Sequence, residues 1–317
     1  MFFNAILFIV GFYVLIKGAN LLVKGASSIA DRFHTSLFFV GLVIVGIGTS
    51  IPEFATFFAA LLMGKGPVGL GTVIGSNTFN ILFILGVTAL FFPLSMKKEW
   101  VGRDLAWNII AVGAAMVFAL WLGPGIITRP EGFLLIVLFA YWLYGTIKKS
   151  SGISEEERKM EMREITFLMS FGLILAGLLG TILGGKWVVD GAVVIAREFG
   201  LTESIIGLTI VGIGTSLPEL TASFVAAYRK QPGIAIGNII GSNIFDFLVI
   251  FGFGAMVRPI AFSPYFSFDI TITLLSTIVL YGSLFVGKKY MLKRWQGLMF
   301  VFFYFFYLFY LLGIARV

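Results

Sequence analysis

The chain has 317 residues, of which 59% are hydrophobic and only 12% are Asp, Glu, Lys or Arg; its formal net charge is +7. A soluble domain carries roughly 25% charged residues, so this composition excludes an ordinary soluble enzyme or binding module, and it excludes disorder. The positive balance fits the Lys and Arg that collect in cytoplasmic loops of membrane proteins rather than a nucleic-acid footprint, and the absence of Cys removes disulfides, thiolate metal sites and cysteine nucleophiles.

A membrane-spanning helix needs about 20 apolar residues. The apolar runs are long and continuous rather than alternating, which argues against an outer-membrane barrel. They predict ten helices, at 2–24, 36–62, 69–92, 104–121, 127–147, 165–186, 203–228, 234–256, 267–286 and 296–314. The first has no basic leader before it and no clear small-residue cleavage site after it, so it reads as a retained helix. His34 follows it as a boundary residue, and a single His cannot build a His-rich metal centre. The second helix carries Gly48-Thr49-Ser50-Ile51-Pro52-Glu53, and the third carries Gly75-Ser76-Asn77-Thr78-Phe79-Asn80. After the fifth comes the one strongly hydrophilic stretch, from Lys148 to Glu164. It divides the chain into a first transmembrane repeat (1–148), a cytoplasmic loop (149–164) and a second transmembrane repeat (165–317). The seventh and eighth helices then carry Gly214-Thr215-Ser216-Leu217-Pro218-Glu219 and Gly241-Ser242-Asn243-Ile244-Phe245-Asp246. Lys97, Lys98, Arg229, Lys230, Lys288 and Lys289 all follow odd-numbered helices, whereas the other connections hold few cations, such as Lys65, Arg129 and Arg258. The positive-inside rule puts the odd connections in the cytoplasm and both termini outside.

Residues 41–86 align with 207–252 without a gap, an offset of 166. Each half has an odd number of helices, so the second half enters the membrane in the opposite sense. Inverted repeats are the architecture of many secondary transporters, with the site near the midplane between discontinuous helices. The expected fold is an all-α integral membrane protein with ten transmembrane helices in two inverted five-helix repeats, helices 2, 3, 7 and 8 being broken.

Glu53, Glu219 and Asp246 lie deep in apolar runs, while the other acids fall near helix ends or in loops. A carboxylate at the bilayer centre costs at least about 2.5–3.5 kcal/mol. No Lys or Arg lies in those helices to offset it, which leaves a bound cation or a proton. Pro52 and Pro218 each remove a backbone donor, and unsatisfied backbone at membrane depth is tolerated where it lines a polar cavity. Carbonyls, carboxylates and hydroxyls are hard ligands suited to Ca²⁺ or Na⁺. Thr49, Ser50 and Glu53 share a face, and Thr72, Ser76 and Asn80 form a polar stripe that Asn238, Ser242 and Asp246 repeat. Thr56 and Thr78, unmatched between the repeats, are expected only to back-bond to their own helix.

On these paired motifs the sequence resembles the cation/calcium exchanger superfamily, most closely the sodium/calcium exchanger branch in its prokaryotic form, over essentially the whole chain. The resemblance implies a multi-pass plasma-membrane antiporter, functional as a monomer, that exchanges Na⁺ for Ca²⁺ by alternating access and exports Ca²⁺. It implies no enzyme activity, no cofactor beyond the transported ions, and no partner beyond those ions and the bilayer. It makes Glu53 and Glu219 the central Ca²⁺ ligands shared with Na⁺, with the carbonyls of Thr49 and Thr215 completing the shell. Ser50, Ser76, Ser216 and Ser242 line Na⁺ positions, Asn80 and Asp246 stand close to the ions, and helices 1 and 6 slide against the rest. Two departures stand out: Thr72 replaces the Asn usual at that place, and Gly46 and Gly212 replace small residues that are often Ala. H⁺/Ca²⁺ and K⁺-dependent Na⁺/Ca²⁺ exchange are the alternatives within the family, although repeats ending in Ser-Asn favour Na⁺. A cation channel is a lesser one. A serine hydrolase is opposed by the position of His34, and an aspartyl protease by the presence of one deep aspartate.

Overall fold

The computed structural model describes residues 2–122, 125–148, 165–200, 206, 210, 212–263 and 265–314. The cytoplasmic-loop expectation for 149–164 falls outside the described residues. The membrane helices are α1 (Phe2–Arg32), α2 (Leu37–Leu62), α3 (Gly66–Phe91), α4 (Lys98–Leu122) and α5 (Arg129–Lys148) in the first half. In the second half they are α6 (Phe167–Glu198), α8 (Pro232–Val257), α9 (Tyr265–Ser283) and α10 (Arg294–Ile314), with α7 between α6 and α8 described over Gly212–Gly214 and Leu217–Tyr228. Nine helices among the described residues are long and apolar enough to cross a membrane. The expected tenth is α7, part of which lies outside the described residues.

The helix starts follow local chemistry. Ser36 and Thr166 cap α2 and α6 by accepting from the N–H groups of Phe39 and Met169. Pro232 opens α8 in the first turn, where a missing N–H is harmless. α1 and α6 run eight and twelve residues beyond their expected ends. Lys24, Lys186 and Asp190 read as stops in the sequence, yet all three sit on exposed faces of continuing helices. Each of these helices is roughly 45 Å long, more than the hydrocarbon thickness of about 30 Å.

Helix α2 is interrupted at Ser50 (φ −77°, ψ 2°) and α7 at Ser216 (φ −89°, ψ 7°), each two residues before the proline. The breaks expected in α3 and α8 take another form. Neither helix has a proline at that point, and each stays continuous through a π-helical turn, Asn80–Ile84 and Asp246–Ile250. These wide turns begin at the polar residue that closes each motif; π turns are frequent at functional sites.

The most extensive packing joins one half to the other: α1 to α6, α8 to the first part of α2, α8 to α5, and α10 to α3. Glycine makes these approaches possible. A Cβ on Gly18 would stand 2.6 Å from the backbone nitrogen of Thr181, so only a bare backbone lets α1 and α6 meet there. A Cβ on Gly297 would stand 2.5 Å from the carbonyl oxygen of Gly86, and one on Gly132 would stand 2.6 Å from that of Gly252. Gly86 and Gly252 are equivalent in the repeat. Two short antiparallel ladders reinforce the pattern. They join β1 (Leu94–Ser95) to β4 (Met291–Leu292), and β2 (Ile126–Ile127) to β3 (Ile260–Ala261). A continuous apolar core fills the space between the helices.

Candidate functional site

The interruption of α2 delivers Thr49, Ser50 and Glu53 to the interior, and that of α7 delivers Thr215, Ser216 and Glu219. Glu53, Glu219 and Asp246 are each 1% exposed. Their charges are close enough to act on one another. Proximity crosses between the repeats: Thr215 stands beside Glu53, Thr49 beside Glu219, and Ser50 beside Asp246.

Compensation separates these acids from the rest. Asp104, expected near a helix end, is fully buried and is held by Arg103 Nη2 at 2.8 Å. Asp269 accepts from the Tyr307 hydroxyl at 2.8 Å, and Glu131 accepts from Thr128. By contrast, neither carboxyl oxygen of Glu53 or Glu219 has a hydrogen-bond partner, nor has Oδ1 of Asp246. The orphaned atoms also include the Ser50, Thr215 and Ser216 hydroxyls and the Oδ1 atoms of Asn77 and Asn80. Unpaired buried polar atoms are rare and call for a reason. Nearly all of these are oxygens, the donor set of a hard cation. No group of three acidic, His or Cys side chains among the described residues is gathered tightly enough to hold a metal ion by itself. A cation here would need hydroxyl and carbonyl oxygens between the carboxylates.

Two asparagines that the sequence reading left without a role take part. Asn77 donates to Asp246 Oδ2 at 2.8 Å, and Asn80 donates to Asn243 Oδ1 at 3.0 Å. These contacts are equivalent, since Asn77 matches Asn243 and Asn80 matches Asp246. The signal was available in the duplicated Ser-Asn, but both asparagines sit one step off the stripe drawn through every fourth residue. Thr78 back-bonds to Ile74 as expected and also meets Thr273 at 2.6 Å.

The two ends of the site differ. Between α2 and α8, Thr49 donates to Asn238 Oδ1 at 2.9 Å, Ser242 donates to the Gly46 carbonyl at 3.0 Å, and Asn238 donates to Ser223 and to the Glu219 carbonyl. Between α3 and α7 the equivalents are not joined. Thr72 returns its hydroxyl to Val68, Ser76 donates to Val73 in its own helix, and Thr215 Oγ1 is unpartnered. The substitution of Thr for Asn at position 72 accounts for part of this. Threonine is too short to repeat the reach of Asn238, and its hydroxyl satisfies itself locally. Gly46 sits tightly in the joined end, where a Cβ would come 2.7 Å from the Asn238 carbonyl oxygen.

Comparison with known proteins gives a consistent picture. The family model described as sodium/calcium exchanger protein matches residues 3–148 and 169–313. The uncharacterized membrane protein MJ0091 of Methanocaldococcus jannaschii is 33% identical, the match covering 93% of each chain. The sodium/calcium exchanger MaX1 of Methanosarcina acetivorans is 28% identical, over 93% of this chain and 95% of its own. Among solved structures, the sodium-calcium exchanger NCX_Mj soaked with 10 mM Na⁺ and zero Ca²⁺ superposes with a TM-score of 0.82. That match is 31% identical and covers 96% of this chain and 97% of the other.

Proposed function

From the premise that this chain belongs to the sodium/calcium exchanger family, we propose that it is a secondary active antiporter that exports Ca²⁺, driven by Na⁺ entry through alternating access. The observation that carries this reading is the pair of unpartnered carboxylates, Glu53 and Glu219, gathered with Asp246, which Asn77 satisfies on one oxygen only, and with hydroxyl and amide oxygens, no base among them. Glu53 and Glu219 hold Ca²⁺ together with the carbonyls of Thr49 and Thr215, and the same glutamates hold Na⁺ in exchange. Ser50, Ser76, Ser216 and Ser242 serve Na⁺ positions. Asp246 and Asn80 adjust the charge beside them, each fixed by an asparagine of the other repeat. This is binding and release of ions, with no bond made or broken in a substrate and no resident cofactor.

The chain works as a monomer in the plasma membrane, with both termini and the α2–α3 turn outside and residues 149–164 in the cytoplasm; the distribution of Lys and Arg supports this orientation. The joined α2–α8 end then faces the cytoplasm, and the less constrained α3–α7 end faces outward. That asymmetry is what one state of an alternating-access cycle requires.

The test is radiolabelled Ca²⁺ uptake into proteoliposomes with Na⁺, K⁺ and H⁺ gradients imposed separately. A Na⁺ gradient alone drives uptake, and Glu53→Gln or Glu219→Gln abolishes it while leaving the protein folded and reconstituted. Full uptake in either variant would overturn the site. Uptake driven by a pH gradient without Na⁺ would overturn the coupling ion.

A further inference from the structure

Away from the candidate ion site, the end of α3, the α7–α8 turn and the start of α10 border an open cavity of about 390 Å³ lined by Phe91 to Leu94, Ala227, Lys230, Pro232 and Arg294. Its walls are apolar except for two cations, both exposed and neither paired with a carboxylate. The segments that form it, 91–98, 227–232 and 288–294, contain no Asp or Glu and include Lys97, Lys98, Arg229, Lys288, Lys289 and Lys293. The β1–β4 ladder fixes two of these segments side by side.

A general excess of cytoplasmic cations does not explain Lys230. It occupies a left-handed backbone position, φ +60°, which side chains avoid and glycine accepts. The repeat supplies an internal control. Its equivalent is Gly64, at φ +73°, in the α2–α3 turn. Both turns close in the same way: Gly64 and Lys65 donate to Leu61 and Ala60, and Lys230 and Gln231 donate to Ala227 and Ala226. The fold therefore requires the left-handed residue in both turns, and only the cavity-lining copy departs from glycine. The α1–α2 turn departs from glycine in the same way, at His34 (φ +50°) against Gly200 (φ +77°), so what bears on the cavity is the cation that position 230 carries rather than the strain alone. The adjacent Arg229 is used differently, donating to Asn20 Oδ1 at 2.6 Å.

We propose that this cavity holds the headgroup of an anionic phospholipid, its phosphate between Lys230 and Arg294 and the upper acyl chains on Phe91 and Phe92. A basic pocket between helix ends at the cytoplasmic face is a recurrent lipid-headgroup site. The apolar floor favours an amphiphile over free phosphate, which would leave the aromatic surface unused. Phe91 is 56% exposed and Tyr228 70% exposed, so the rim is open toward lipid. The inference rests on the membrane reading and is independent of which ions are exchanged.

The experiment reconstitutes the full chain in phosphatidylcholine nanodiscs containing a minority of phosphatidylglycerol and reads retained lipid by native mass spectrometry. The unmodified chain retains phosphatidylglycerol preferentially. Lys230→Gly restores the residue of the other repeat and relieves the backbone, so the protein folds; retention falls about fivefold, and about 25-fold with Arg294→Gln added. Lys288→Gln, on the same face but outside the cavity, leaves retention unchanged. An unaltered preference in the double variant overturns the site. An equal loss in Lys288→Gln also overturns it, in favour of a diffuse surface field. Displacement of the lipid by millimolar inorganic phosphate overturns the lipid assignment in favour of a soluble anion.

Discussion

Thr72 and Asn238 hold the same place in the two repeats, yet only Asn238 is joined across the site. Replacing Thr72 with Asn should give the unpartnered Thr215 hydroxyl an acceptor. A net hydrogen bond is worth about 0.5–1.5 kcal/mol, enough to shift an opening equilibrium several-fold. The chain contains no native Cys, so a single introduced thiol reports without background. Gly75, whose added Cβ would meet no described atom within 4 Å, is a suitable place for it. A membrane-impermeant maleimide should label Gly75→Cys readily, and adding Thr72→Asn should slow that labelling; an unchanged rate would show that Thr72 does not set the asymmetry. At this scale the gathering of the candidate residues was largely legible. Deep carboxylates without basic neighbours pointed to Glu53, Glu219 and Asp246, the first two doubled by the repeat, and the fold buries all three together. Asn77 and Asn243 were not legible, because their partners lie on helices of the opposite repeat and no local spacing reveals such a pairing.

At the level of elements, the long helices α1 and α6 differ most from expectation. Charges ended them in the sequence reading, whereas in the fold those charges lie on outer faces while glycines on the inner face continue the contact. Gly18→Leu should force α1 and α6 apart. Overpacking of a tight contact costs typically 1–3 kcal/mol, so a clear fall in melting temperature in detergent is expected, and unchanged melting would show that the seam tolerates side chains. α1 is also tied to the α7–α8 turn, through Asn20 with Arg229 and through Ser27, which donates to Gln231 at 2.8 Å. The equivalent positions in the other half are Lys186 with Met63 and Val193 with Lys65, which cannot form the same bonds. Asn20→Ala should therefore loosen one end only. Labelling of Gly75→Cys should slow as the population moves to the opposite state, and an identical rate would show the tie to be incidental.

Over the whole molecule, the repeat and its inversion were legible from the gapless offset and the odd helix count. The seams were not, because sequence order does not say which half a helix packs against. The structure shows that each major seam crosses from one half to the other. Halves 1–148 and 165–317 should consequently fail to accumulate when made alone and should restore Na⁺-driven Ca²⁺ uptake when made together. Activity from either half alone would contradict this account.

The crossing seams also come in equivalent pairs. Gly86 meets Gly297 as Gly252 meets Gly132; Asn77 meets Asp246 as Asn243 meets Asn80; β1 joins β4 as β3 joins β2. A surface that touches its own counterpart in this reciprocal way is the isologous contact of a two-fold dimer. The chain is thus built like a two-fold dimer of five-helix units carried on one polypeptide, so that the two units can differ in sequence. Thr72 against Asn238, and Gly64 against Lys230, are places where two once-identical subunits have stopped being interchangeable.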